Sequence, residues 1–292
     1  MSNVSNQPTT PDYLTESLRA YWFAPPVALW RAIELRVAAE EQYERPLLDL
    51  GCGDGLVGQV LFGTAGYADV GADLWADQLH RAARSGVYRH VNQADGHHLP
   101  YPDGTFATVF SNSVLEHIAD VWQVVQEVGR VLRCPDPDTG QIGGRFIFTV
   151  PSDVFRYFLD GYVRRMAAGR RQAAEAYAAA VDARLEHYHY FTPREWQRLL
   201  ANAGMTMIEA RYYIPQEVEQ LWDQMNARYS IGQRRSAWGL LVSPHLRLLG
   251  YQAILRQFVV RTLSRRWRRY YAMDVPHGEK GGGLLIAARR ED

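Results

Sequence analysis

Cysteine is almost missing. Cys52 and Cys134 are the only two in 292 residues and stand too far apart for a C-x-x-C pair, so neither a disulfide framework nor a cysteine-rich zinc site can be assembled. A reducing cytoplasmic compartment is expected. No run of about 18 uncharged apolar residues occurs, and Met1 to Pro11 lack a basic segment followed by an apolar one, so neither a spanning helix nor a signal peptide is expected. Lysine is nearly absent as well. Lys280 is the only one, a bias toward arginine that a GC-rich genome produces without functional demand. Acid is missing locally: from Gln224 to Met273 there are ten arginines and no Asp or Glu. Because the chain holds 32 acids and 32 bases, that stretch carries +10 and the remainder −10. Such segregation points to an anionic partner or surface. A hydrophobic share of 47% is ample for a core, which excludes collagen-like and wholly disordered chains.

Periodicity sets out the organisation. Residues 17–41 read as two short helices hinged at Pro25-Pro26. Strands are expected at 46–50, 68–72, 88–93, 106–111 and 145–150, with helices at 56–62, 75–83 and 121–132 between them. Five alternations of strand and helix imply an α/β fold, a doubly wound, seven-stranded Rossmann-like sheet once two more strands at 205–213 and 282–289 are counted. Residues 153–186 read as an Ala- and Arg-rich helix. Thr192-Pro193-Arg194-Glu195 has the capping-box form, with Gly204 as the stop. The expected division is a helical cap at 1–44, a cofactor-binding core at 45–152, a helical cover at 153–190, the core's continuation at 191–214, a basic helical insertion at 215–280 and the last strand at 281–292.

The turn Asp49-Leu50-Gly51-Cys52-Gly53-Asp54-Gly55 follows the first strand and opens a helix, where a doubly wound sheet has its ligand crevice. Glycines allow close backbone approach, and a helix N-terminus offers amides to a polar ligand. A dinucleotide fingerprint needs glycine at position 56, which is Leu56, whereas D-x-G-x-G-x-G is met throughout. An acid inside the site suits a cationic amino-acid ligand better than a pyrophosphate.

With these residues the chain resembles the class I S-adenosylmethionine-dependent methyltransferases, of the small-molecule kind similar to quinone-biosynthesis enzymes. Gly71-Ala72-Asp73-Leu74 ends the second strand, Ala94-Asp95-Gly96 follows the third, Leu99 to Phe106 leads into the fourth, and Leu115-Glu116-His117-Ile118 matches the family's L-E-H-[VI] turn. The resemblance implies S-adenosylmethionine as cofactor, held by Asp49, Gly51, Cys52, Gly53, Gly55, Asp73, Leu74, Asp95, Gly96, Ser111 and Asn112. Asp73 would take ribose hydroxyls and Asp95 the adenine amino group. Ala107 stands where the family often has a structural Asp.

For the transfer itself His117, His187, His189 and Tyr190 are candidate bases, with His117, His189 and Tyr190 placed nearest the transferred methyl, acting on an oxygen or nitrogen nucleophile of a small acceptor. Glu116, His117 and the later His189-Tyr190-Phe191 also resemble part of the metal set of small-RNA 3′-terminal 2′-O-methyltransferases. Ser113 stands where that set has a first glutamate, so no metal is expected. A metal-dependent or RNA-directed enzyme, or a non-catalytic binding protein on the same fold, are the alternatives; nucleic acid is not expected as a partner. From Ile254 to Tyr271 apolar pairs alternate with Arg-rich pairs every four residues, which reads as one apolar and one basic stripe, suited to peripheral contact with an anionic membrane.

Overall fold

A computed structural model describes residues 11–63, 66–229, 237–243 and 250–291. The first ten residues, and the parts of the basic insertion at 230–236 and 244–249, lie outside the described residues. Seven strands, β1 (Leu47–Leu50), β2 (Ala68–Asp73), β3 (Tyr88–Gln93), β4 (Thr108–Asn112), β5 (Arg145–Pro151), β6 (Met205–Tyr213) and β7 (Gly283–Arg290), form one sheet in the order β3-β2-β1-β4-β5-β7-β6. β1 to β5 run parallel; β7 enters antiparallel between β5 and β6. The chain leaves β1 toward β2 and β3, then returns to β4 on the other side. A crevice therefore opens beyond the carboxyl ends of β1 and β4.

Helices cover both faces. They are α1 (Tyr13–Ala20), α2 (Pro25–Ala38), α3 (Leu56–Phe62), α4 (Ala76–Ser85), α5 (Val121–Val131), α6 (Phe155–Phe158), α7 (Asp160–Ala167), α8 (Arg171–Leu185), α9 (Pro193–Asn202), α10 (Gln216–Tyr229), α11 (Ala237–Leu241), α12 (Tyr251–Arg266) and α13 (Arg268–Tyr271). Side chains alternate across the strands: Leu47, Phe110 and Ile147 join one apolar cluster with α1 and α2, while Leu48, Val109, Phe146 and Phe148 join another with α5 and α9. The prolines expected as a hinge occupy the first turn of α2, where their missing N–H groups cost nothing. The single helix expected over 153–186 is three, because Leu159 has an extended backbone and Gly169 a left-handed one. Thr192 and Glu195 make the reciprocal capping bonds.

The stripe expected on 254–271 is not a stripe. A four-residue repeat overshoots the helical turn by about 40° each time, so the apolar pairs spiral around α12 instead of lining one face. Ile254 and Phe258 are 72% and 66% exposed, whereas Val259 and Trp267 are 6% and 3% exposed and packed against the body. Arg268 is answered by Asp12 at 2.7 Å. No helix among the described residues is long and apolar enough to cross a membrane.

Candidate functional site

β1 ends in a turn that only glycine can make. Gly51 has φ +76°, and a Cβ there would stand 2.4 Å from Val114 Cγ2. The amides of the turn are mostly spent within the protein: Gly51 and Cys52 donate to Ala72 O at 2.8 and 3.0 Å, Gly55 to Cys52 O at 3.0 Å and Gly53 to Asp73 Oδ2 at 2.8 Å. The loop is shaped for close approach and for holding an acid, not for cradling a phosphate.

That acid is Asp73, whose Oδ1 also accepts from Trp75 N at 2.9 Å. Both oxygens are braced, and each keeps a lone pair for a ligand. Asp73 lines a cleft of about 660 Å³ together with Asp49, Gly51, Cys52, Gly53, Leu74, Asp95, Gly96 and Asn112. Asp95 sits at its outer end, held below the usual carboxylate range by hydrogen bonds from the His97 amide and ring. Leu74 and Trp75 are 49% and 62% exposed at the same rim, an apolar edge that the sequence reading caught only in part.

Two of the expected cofactor residues are elsewhere. Ser111 is fully buried and its Oγ donates to Leu50 O at 2.9 Å, which ties β4 to β1. Gly55 starts α3 with its α-carbon against α4; a Cβ would lie 2.9 Å from Ala82 Cα. Asn112 does border the cleft, but its side chain is spent inward, donating to Thr149 Oγ1 at 2.6 Å and accepting from Arg31 at 2.8 Å.

At the closed end lies Asp49, 2% exposed, with burial pushing its carboxyl up to about 7 even though the Tyr88 hydroxyl donates to it at 2.6 Å. Tyr88 reaches it through a gap left by glycines. A Cβ on Gly58 would stand 2.1 Å from the Tyr88 hydroxyl, and one on Gly71 2.9 Å from the ring. Neither Tyr88 nor Gly58 was picked out from sequence; a glycine inside a helical pattern was the available signal.

Of the four candidate bases only His117 borders the cleft, and His187 lines a smaller chamber beside it. His189 points into the loop before α5, with Nε2 2.8 Å from Ile118 O, and stacks on Phe191. Tyr190 stacks on Phe155 and donates to Asp182 Oδ1 at 2.6 Å. Both are corrections with the same cause: each polar tip is held by an acceptor outside the crevice, Ile118 O for His189 and Asp182 for Tyr190. His117 Nδ1 lies 3.2 Å from Glu186 O, and burial lowers the ring's pKa.

Behind His117 the structure assembles groups that no local motif connects. Glu34 of α2 is fully buried; it pairs with Arg31 and accepts from Tyr213 of β6 at 2.7 Å and from Ser113 at 2.9 Å. Arg31 also donates to Ser113 Oγ at 2.8 Å. Burial raises the Glu34 carboxyl, but the Arg31 guanidinium together with the hydrogen bonds from Tyr213 and its other partners leaves the net shift downward. Beside this network a second chamber of about 150 Å³ is lined by Trp30, Phe155, Trp222, Glu116, His117 and His187 among others.

Residues 48–134 match the methyltransferase domain family. In this segment the chain is similar to S-adenosylmethionine-dependent methyltransferases. The 27-O-demethylrifamycin SV methyltransferase of Amycolatopsis mediterranei is 35% identical over 94 residues, which cover 30% of this chain and 34% of that protein. The chain thus spans between about a third and a half of the length of the curated relatives it matches. Among solved structures, an S-adenosylmethionine-dependent methyltransferase of Thermotoga maritima aligns over 93% of this chain and 92% of its own, at TM-score 0.53 and 13% identity. The [4+2]-cyclase SpnF aligns over 89% and 82%, at TM-score 0.50 and 16% identity. At such identities the likeness is one of fold.

The methyltransferase core fits its cofactor on its donor set. S-adenosylmethionine has a cationic amino-acid end, a ribose diol and an apolar, flat base, and the cleft offers in order a buried acid at Asp49, a braced acid at Asp73 and an exposed apolar rim at Leu74 and Trp75 closed by Asp95. Those residues would hold it.

Proposed function

We propose that this protein transfers a methyl group from S-adenosylmethionine to an oxygen or nitrogen of a small-molecule acceptor. The observation that carries this reading is that the cofactor cleft and the aromatic chamber share His117, Arg31 and Ser113, so an acceptor in the chamber lies against the inner end of the cleft. The cofactor supplies a methyl group already activated by its sulfonium. What remains for the chain is to align the acceptor and take its proton. Trp30, Phe155 and Trp222 exclude water from the chamber, and Phe155 and Trp222 are nearly fully buried. His117 is neutral and can accept a proton at Nε2, since Nδ1 faces a carbonyl. The rifamycin relative's name, which specifies an oxygen, supports a hydroxyl acceptor.

Calorimetric titration with S-adenosylhomocysteine tests the reading. Micromolar binding that weakens at least tenfold in Asp73→Ala is expected; absence of binding at millimolar ligand would end it. The same fold carries a cyclase, so a screen in which binding persists but no acceptor yields S-adenosylhomocysteine favours the non-catalytic alternative. Peripheral contact with an anionic surface belongs to this proposal too, supported by the exposure of Ile254 and Phe258 beside Arg256 and Arg261. Sedimentation with anionic vesicles at low salt is expected to fall in Phe258→Ser, and equal recovery of both proteins would refute it.

A further inference from the structure

Glu116, His117 and His187 come together from two separate segments, with one ligand atom from each lying within 4.8 Å of the others. Glu116 is 2% exposed and its Oε2 has no hydrogen-bond partner, although the carboxyl group lines the chamber beside the cleft. Oε1 lies 3.9 Å from His117 Nε2, too far to share a proton by a hydrogen bond. A buried carboxyl group left this way calls for another partner.

Both imidazoles are set to face such a partner with a lone pair. His117 Nδ1 sits against the Glu186 carbonyl oxygen, which only accepts, so Nδ1 carries the proton and Nε2 does not. His187 Nδ1 lies 3.0 Å from the Tyr190 hydroxyl, whose single proton already goes to Asp182 at 2.6 Å. Asp182 is itself paired with Arg156 at 2.9 Å. The hydroxyl must therefore accept from His187, and the nitrogen left to His187 is again Nε2. A carboxylate or carbonyl that fixes the outer nitrogen of an imidazole is how proteins orient histidines for a metal ion.

We infer that Glu116, His117 and His187 form a site for a divalent first-row transition-metal ion. Two imidazoles and one carboxylate suit zinc, cobalt, manganese or iron better than magnesium, which wants oxygen ligands. Three protein ligands leave coordination positions open toward the aromatic chamber; with the ion bound, His117 Nε2 would be a ligand, and the ion would take over from the imidazole the activation of the acceptor hydroxyl. The acceptor class is then an oxygen-rich one, with a hydroxyl flanked by a second oxygen so that both can reach the ion. That last step rests on the methyl-transfer reading, whereas the metal site stands on the geometry of the three side chains. It also reverses the expectation drawn from sequence. The resemblance pointed to His189 as the distal histidine, but His189 is bound to Ile118 O and His187 takes the place.

Cobalt(II) titration of the full chain, followed by its visible absorption, tests the site. Saturable binding of one ion is expected, with at least a tenfold loss of affinity in Glu116→Gln and in His187→Asn. Tyr190→Phe, which frees His187 to turn, is expected to weaken binding roughly tenfold without removing a ligand. S-adenosylhomocysteine binding should survive in all three, which shows that they fold. No cobalt binding, or binding unchanged by Glu116→Gln and His187→Asn, overturns the site. Cobalt binding in a protein that does not bind S-adenosylhomocysteine leaves the site standing and overturns the transfer reading instead.

Discussion

The two halves of the crevice are built in opposite ways. The cofactor side is made from consecutive turns at the ends of β1, β2 and β3, each held by bonds to its neighbour in the sheet, such as Gly53 N to Asp73. The chamber side, proposed for the acceptor, is made from α2, the turn after β4, the segment before α9 and α10, joined by long-range contacts such as Tyr213 to Glu34 and Trp30 to Trp222. A turn between parallel strands must supply backbone geometry, so its residues are small, acidic and closely spaced. A wall made from distant helices must supply volume and paired charge, which many sequences can do. The first should fail by losing a ligand, and the second by losing stability.

The largest expected effect tests the second half. Glu34→Ala leaves the Arg31 guanidinium facing Ser113 and Asn112 with no carboxylate, inside a wall where Glu34 was fully buried. Removing one partner of a buried pair costs about 3 kcal/mol or more, read as a drop in the urea unfolding midpoint at constant slope. Because the folded-state pKa of Glu34 is lowered, its contribution is present above its ordinary pKa and is lost as pH falls below it. The wild type should therefore lose stability in acid through a carboxyl group that the variant lacks. If the variant unfolds at the same urea concentration, the acceptor wall is not held by this network and the comparison collapses.

The same difference explains what could be read in advance. The sheet, its seventh strand and the acid at each turn were legible because strand periodicity and glycine turns are local. Asp49, Asp73 and Asp95 were placed by the glycine turn and by the resemblance that the motifs after it carry, and all three line the cleft. Glu34 and Arg31 were not legible: they sit one turn apart in a helix buried around most of its surface, and nothing within twenty residues tells that Glu34 is fully buried and meets Arg31 there. His189 and His187 lie two apart, and where each ring points was decided by Ile118, far back along the chain, and by Asp182, which holds the Tyr190 hydroxyl beside His187. The basic helix misled for a simpler reason, since a repeat of four resembles a helical period while drifting away from it.

A smaller effect tests the first half. Gly51→Ala puts a methyl group 2.4 Å from Val114 Cγ2 on a backbone of φ +76°, a strain and overpacking cost of about 2 kcal/mol. Val114 borders the cleft, so relief by moving it must reshape the cofactor site. The expected outcome is a tenfold or greater loss of S-adenosylhomocysteine affinity by calorimetry in a protein that still unfolds cooperatively. Unaltered affinity would mean that the turn is structural only, as Gly55 is.

The smallest effect is one proton, and it isolates Asp49. Burial raises its carboxyl to about 7, the Tyr88 hydroxyl pulls it back down, and the charge of Asp73 adds to the rise. The free protein therefore keeps a proton on Asp49 well above the pH at which the unfolded chain loses it, so this group makes stability fall as pH rises toward 7. A ligand with a cationic amine wants the carboxylate. Below pH 7, binding must expel that proton, and affinity should weaken by up to about tenfold per pH unit toward acid, levelling off above 7. Titrations of S-adenosylhomocysteine from about pH 5.5 to 7.5, in two buffers with different ionisation enthalpies, would count the proton released. Asp49→Asn should flatten the profile, which separates Asp49 from His117 and His187. Tyr88→Phe removes the hydrogen bond that favours the charged form and should move the levelling point to higher pH. A flat wild-type profile, or a slope that survives in Asp49→Asn, would show that the buried acid does not meet the ligand's charge and that the cofactor's amino-acid end is held elsewhere in the cleft.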